Sequence, residues 1–253
     1  MMRTKGARPR EGGAQGDSGM RREFGRGARV FAALTALAAA AAPAAAQDRG
    51  AVFAGGSFDE DDSGYVGAQL ALPGSRPGAG WGVRGSLTGG VYSYDRDNRG
   101  IDGRFVGGAI GPVYQWSGAW GYADLGLQAR YVDTHLDPYD RQNPRRGGVA
   151  DAVVSIDGAR RWGPWRATGY GEYGSGVQDY FVRANVTHDV IPRLRVGLET
   201  ILQGDPTYDR QRAGPLVAGL VTPRDELQLS GGWSQQTGRS DHAYVALAYV
   251  RLF

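Results

Sequence analysis

The chain closes on Tyr244-Val245-Ala246-Leu247-Ala248-Tyr249-Val250-Arg251-Leu252-Phe253. A strand sends alternate side chains to opposite faces, so Phe253, Arg251, Tyr249, Leu247 and Val245 share one face. All but Arg251 are apolar or aromatic. Near a membrane boundary an Arg stem lies along apolar surface while its head reaches water. An ordinary buried edge strand carries the same pattern, and the other end of the chain separates the two readings.

Arg21, Arg22, Arg26 and Arg29 precede an apolar run over 30–42, which ends in Pro43-Ala44-Ala45-Ala46-Gln47. A charged start, a short apolar stretch and an Ala-x-Ala site make an export signal. The run falls short of the roughly 20 residues a spanning helix needs. Residues 1–46 read as a leader, with Met20 as the start of a conventional signal peptide after a polar, Gly-rich extension. Residues 47–253 read as one domain.

The leader also accounts for the basic balance. The chain has 29 Lys+Arg and 26 Asp+Glu; residues 1–46 hold eight and three of these, leaving 21 against 23, a net of −2. That excludes a nucleic-acid partner. There is no Cys, so an exported chain must do without disulfides and without a lipid anchor.

Twelve segments of about ten residues alternate with period two. In 122–131, Ala123, Leu125, Leu127, Ala129 and Tyr131 oppose Asp124, Gly126, Gln128 and Arg130. The same rhythm runs through 165–173, 180–187, 194–202 and 226–233. Fainter strands fall near 51–58, 64–72, 81–94, 104–116, 149–161, 211–221 and 243–253. Charges recur on one face in strand after strand. In a soluble sandwich those faces would meet solvent; in a membrane barrel they line the lumen. The leader and the terminal aromatic, which resembles the C-terminal signal of bacterial outer-membrane β-barrels, favour an all-β transmembrane antiparallel barrel of about twelve strands.

Connections alternate in length. The longer ones are 59–63, 95–103, 134–148, 203–210 and 235–242; the others are short and rich in Gly and Pro. Barrels have long outer loops and short periplasmic turns, so both termini are periplasmic. Trp81, Trp116, Trp120, Trp162 and Trp165 flank the short turns. Tyr92, Tyr94, Tyr131, Tyr173 and Tyr180 lie toward the other rim. Amphipathic rings favour the membrane–water boundary, which gives two girdles.

The expected lumen set is Arg84, Asp124, Gln128, Arg130, Arg166, Glu172, Arg183, Arg195, Glu199 and Glu226. These residues suit cross-strand ion pairs or the paving of a sugar path. Strand spacing and tilt give a backbone radius of about 12 Å. Small lumen residues would leave a bore of roughly 10 Å, which Arg and Tyr side chains can close. His135, His188 and His242 are too scattered for a metal site, and no cofactor is expected. His242 with Ser234 or Ser240 is the one arrangement that suits a hydrolase. The acidic run 59–62 lacks the spaced oxygens of a Ca²⁺ loop and reads as solvated.

A set of short motifs carries a resemblance. In order they are Phe53-Ala54-Gly55-Gly56, Leu72-Pro73-Gly74, Gly80-Trp81, Tyr92-Ser93-Tyr94, Ile101-Asp102-Gly103 and Gly111-Pro112-Val113-Tyr114-Gln115-Trp116. Then come Thr134-His135-Leu136-Asp137-Pro138-Tyr139-Asp140 with Asn143 and Gly147-Gly148, Gly197-Leu198-Glu199, and Arg212-Ala213-Gly214. With this order and spacing, residues 51–253 resemble the cellulose biosynthesis protein BcsS family of exported proteins. The chain departs from the family pattern at Asp137, where a serine is expected, and at Pro112-Val113, which interrupts a Gly-Tyr-Gln element. The resemblance implies an outer-membrane barrel linked to cellulose production, with no catalytic residues to carry over.

Three functions compete on the sequence. One is a non-enzymatic barrel assisting cellulose or other exopolysaccharide biosynthesis or secretion; another is a general small-solute porin; the third is a barrel-embedded hydrolase. Expected partners are outer-membrane lipid, the barrel-assembly machinery through the C-terminal strand, and cellulose or another glucan. His135, Asp137, Tyr139, Asp140 and Asn143 are the expected polysaccharide contacts, offering flat rings and hydrogen bonds in the longest loop. The leader predicts a mature protein that begins at Gln47. Mass spectrometry of membrane fractions should find that terminus, and peptides from before Met20 would refute both the cleavage site and the start.

Overall fold

The computed structural model describes residues 49–253 except Glu60 and Asn98, so the leader and Gln47 lie outside the described residues. Twelve strands form: β1 (Gly50–Phe58), β2 (Ser63–Ala71), β3 (Gly80–Arg96), β4 (Arg99–Gly118), β5 (Gly121–Asp137) and β6 (Gly147–Trp162). After them come β7 (Trp165–Gly174), β8 (Tyr180–Ile191), β9 (Leu194–Asp205), β10 (Tyr208–Thr222), β11 (Asp225–Gln236) and β12 (His242–Leu252). Each pairs antiparallel with its sequence neighbours, and β1 pairs with β12, so the sheet closes into a barrel without a free edge. Closure satisfies every ladder within the protein, which an open sheet in lipid cannot do.

The alternation seen in the sequence sets the two faces. Asp124, Gly126 and Gln128 are buried inside, while Leu125 and Leu127 are exposed outside. Val106, Ile110, Ile156, Leu198, Leu229 and Val245 continue that apolar outer belt around the cylinder. Trp81, Trp116, Trp120, Trp162 and Trp165 all stand exposed at the end with the short turns. Trp81 and Trp116 both pack edge-on against Tyr114, with centroids 5.0 and 4.8 Å away.

The wall is uneven in height. At about 3.4 Å per residue β4 runs roughly 65 Å and β1 only roughly 30 Å. With a tilt near 40°, β1 matches an apolar band of about 25 Å, whereas β4 overtops it. The extra height lies at the end away from the termini, where β3 and β4 pair without a break to Arg96↔Arg99 and β4 and β5 to Asp102↔Asp137.

That height corrects several expected loops. Residues 95–103 form the tip of a hairpin turning at Asp97, whose φ is 51°. The long loop shrinks to 138–146, and His135 and Asp137 lie on β5. Residues 203–210 reduce to a turn at 206–207. In each case cross-strand pairing overrides the Gly, Asn and Asp that signal a turn locally. Tyr92 and Tyr94 are also reassigned: they point into the mouth, stacked on one another at 6.1 Å, and do not belong to an outer girdle. Tyr131, Tyr173 and Trp233 remain exposed on the outer face.

The seam depends on the terminal residue. Phe253 donates its amide to Gly50 O at 3.0 Å, and its carbonyl accepts from the amides of Arg49 at 2.6 Å and Gly50 at 2.8 Å. Its ring lies against Gly50, where a side chain would collide with Gln69 O and Leu70 and press on the ring of Phe253. Arg251, the exception in the closing strand, pairs with Asp225 at 3.8 Å, and Tyr249 donates to the same carboxylate at 2.6 Å. Deleting Phe253 removes the clamp on the seam. The expected outcome is loss of the heat-modifiable folded band on a gel; an unchanged band would show that the seam closes without it.

Candidate functional site

All ten expected lumen residues face the inside, and each meets a partner. Arg84 Nη2 donates to Asp124 at 2.7 Å, its Nε to Gln69 at 2.7 Å and its Nη1 to Ser155 at 3.4 Å, so one side chain ties β3 to β2, β5 and β6. Gln128 donates to the same Ser155 at 3.3 Å. Arg130 grips Asp151 at 2.6 Å and Asp179 at 2.6 Å. Glu172 accepts from Tyr170 at 2.5 Å. Arg183 Nε donates to Glu199 at 2.6 Å, and Ser230 donates to that carboxylate at 2.5 Å. Glu226 accepts from Arg195 at 2.7 Å and lies 3.4 Å from Arg166. The last contact crosses from β11 to β7, spanning the interior rather than following the wall.

These residues fill the bore. Water enclosed in an open lumen would touch them, yet Ser155 is 1% exposed, Arg212 2% and Ser234 0%. Aromatic rings take the remaining space: Tyr65 lies over Gly55 and Phe53 over Gly67, positions where a side chain would meet the ring. The roughly 10 Å opening that small lumen residues would leave is therefore closed by Arg and Tyr. Every cation inside is Arg, since the chain's one Lys precedes the described residues. Its planar fork holds two or three acceptors at once and keeps its charge when buried.

The mouth is closed by residues the sequence reading missed. The acidic run was expected to be solvated, but Asp59 is turned inward with its side chain fully buried. It pairs with Arg212, lies 3.7 Å from Arg210 and faces His242 Nε2 at 3.6 Å. Asp61 pairs with Arg210 and lies 3.3 Å from Arg239. The signal was present in Arg210, Arg212, Leu216 and Ala218, which alternate on one face, but their partner lies some 150 residues away. His242 sits at the start of β12, opposite Ser234, with Nδ1 3.2 Å from Ser240 O. Ser234 is sealed from solvent, and His242 Nε2 faces Asp59 without a hydrogen bond.

Loop 138–146 closes from the other side. Asp140 Oδ2 accepts from Tyr94 at 2.8 Å and Arg96 at 2.9 Å, and its Oδ1 accepts from the Gln142 amide at 2.9 Å. Asn143 donates to Tyr94 at 3.0 Å and accepts from the Arg145 amide at 2.9 Å. Arg145 reaches Asp205 at 2.6 Å. Tyr139 is 72% exposed, its hydroxyl held by Arg146 at 3.2 Å. Of the five expected contact residues, the structure brings Tyr139, Asp140 and Asn143 together in this loop. His135 and Asp137 are exposed on the outer flank of β5.

A closed cylinder, apolar outside and ion-paired within, is a transmembrane β-barrel. The model of the family described as cellulose biosynthesis protein BcsS matches residues 51–253, and the chain belongs to that family. A search of curated proteins finds no match. Among solved structures, the barrel is similar to the beta domain of the Bordetella autotransporter Brka, with 15% identity over 82% of this chain and 100% of that one, TM-score 0.49. It is similar to the translocator domain of autotransporter NalP from Neisseria meningitidis, with 9% identity over 92% and 97%, TM-score 0.46. Likeness to the KdgM porin is 6% over 80% and 99%, TM-score 0.44.

Asp140 gives the mouth a pH limit. Burial pushes its carboxyl up, but the Gln142 amide, Arg96 and Tyr94 outweigh that and hold it below the usual carboxylate range. A lowered value means the clasp is complete above the ordinary range and is lost as pH falls through the lowered one. Hydrogen-exchange protection of the Gln142 amide, relative to its intrinsic rate, should disappear over that acid window. Asp140→Asn should lose it at neutral pH; retained protection would show that the charge is not what holds the loop.

Proposed function

We propose that this chain is a non-enzymatic outer-membrane β-barrel that assists the biosynthesis or secretion of cellulose or a related exopolysaccharide, touching the polymer at its outer mouth. Membership of the cellulose biosynthesis family carries the polysaccharide link. The export leader, the apolar belt and the clamped terminal Phe253 support the outer membrane and assembly through the C-terminal strand. The single observation that carries the contact is loop 138–146. Tyr139 offers an exposed ring on which a sugar can stack, held by Arg146 above a scaffold of Asp140 and Asn143.

A filled interior favours a scaffold over a conduit. A glucan chain passing along the axis would have to displace Arg84, Arg183, Arg195 and Arg212 from their partners together. Contact at the rim needs no such rearrangement. Shortening loop 138–146 to a tight turn should leave the heat-modifiable barrel intact and lower the amount or surface attachment of cellulose. A folded variant with unchanged cellulose in both respects would remove the loop from the function.

A further inference from the structure

At the opposite end, beside the short turns, the packed interior gives way to a cavity of about 200 Å³. Tyr122, Arg160, Arg161, Arg166, Asp189 and Arg195 line it. Elsewhere in the barrel the buried guanidinium groups of Arg84 and Arg183 each meet a carboxylate of their own, Asp124 and Glu199. Here Arg166 and Arg195 share Glu226, at 3.4 and 2.7 Å, and Arg161 pairs with Asp189 at 2.6 Å. Asp157, which accepts from Tyr122 at 3.5 Å, is 4.0 Å from Arg84. Arg160 stands on the outward side of β6, opposite Gly121 and Ala167, so the inward Arg161, Arg166 and Arg195 face Asp189 and Glu226 with one positive charge in excess.

A second observation points to what is missing. Arg195 is 8% exposed, and its Nε is buried without a hydrogen-bond partner, as are those of Arg212 and Arg251; of these three Arg195 is the one that lines this cavity. A buried donor left unpaired is rare in a folded protein and marks a place where an acceptor belongs. A guanidinium fork matches the oxygens of a carboxylate or phosphate, and a low-dielectric wall strengthens the attraction. A neutral glucan, which presents hydroxyl groups, has no use for the excess charge. At roughly 30 Å³ per water the cavity holds about six or seven waters, room for a phosphate or one sugar-acid unit.

We infer that this cavity binds a small oxyanion, a phosphate or carboxylate group, carried on a soluble sugar-sized molecule or on a lipid headgroup at that face of the membrane. Arg195 and Arg166 hold the anion from within, Arg161 from the rim, and Glu226 sets how much positive charge is left for it. The site lies at the far end from loop 138–146, so it stands independently of any contact there with polysaccharide.

The test titrates the full-length protein, purified from membranes into zwitterionic detergent, with inorganic phosphate, glucuronate and neutral cellobiose by calorimetry. Phosphate and glucuronate should bind saturably and cellobiose should not. The variant R161Q changes an exposed side chain, so it should keep the heat-modifiable fold while losing at least tenfold in anion affinity. E226Q, which removes a competing carboxylate, should bind anions more tightly. Displacement of phosphate by phosphatidylglycerol in the micelle would assign the headgroup source; no displacement would assign a soluble ligand. Absence of saturable anion binding, equal affinity in wild type and folded R161Q, or weaker binding in folded E226Q would overturn the site.

Discussion

A charge sealed inside a closed ring of strands must find its opposite there, and the rest of this structure follows from that constraint. Breaking a buried pair by removing one partner costs about 3–5 kcal/mol, because the survivor stays buried and uncompensated. The interior therefore behaves as one network. Glu199 is shared by Arg183 and Ser230, and Glu226 by Arg166 and Arg195. Each shared acceptor ties strands that the hydrogen-bond ladder does not connect. The ladder fixes the circumference, and the arginines fix the cross-section.

The same chemistry shapes the mouth. Loop 138–146 fastens through Arg145 to Asp205 at the end of β9, and the β1–β2 loop fastens through Asp61 to Arg210 on β10. Between them lies Tyr208, with Arg145 5.7 Å and Arg210 5.9 Å from its ring centre. The β9–β10 hairpin is thus the common anchor of two loops that arrive from different sides. The two ion pairs that fasten the loops thus each place an arginine beside the same ring.

Much of this was legible in the chain. Period-two alternation placed all twelve strands, and it did so even for 211–221, where the signal was faint, because one face must meet the apolar surroundings at every second residue. The inward side chains of Arg84 through Glu226 followed from the same rule. What alternation cannot see is range. The fate of Asp59 depends on Arg212, and nothing near residue 59 announces an arginine on β10. Hairpin height was hidden for a related reason: Asp95 to Gly103 reads as turn-forming residue by residue, yet Asp95 pairs with Gly100, Arg96 with Arg99 and Gly103 with Tyr92 across the hairpin. Tyr92 and Tyr94 were misplaced because parity, not nearness to a rim, decides which way a ring points.

The tall wall of β3 to β6 changes how a visitor can arrive. His135 and Asp137 sit high on the outer flank of β5, level with Arg104 and Asp102 of β4. Tyr139 is exposed on the loop that follows, its hydroxyl held by Arg146. The polymer proposed above, if it came down along the axis, would pass the loop and not the flank, which faces away from the axis. One lying parallel to the cell surface would meet His135 and Asp137 on the flank. Two sets of residues drawn from one sequence motif are thereby presented to perpendicular lines of approach, and a single extended chain that engaged both would have to bend over the crest between them.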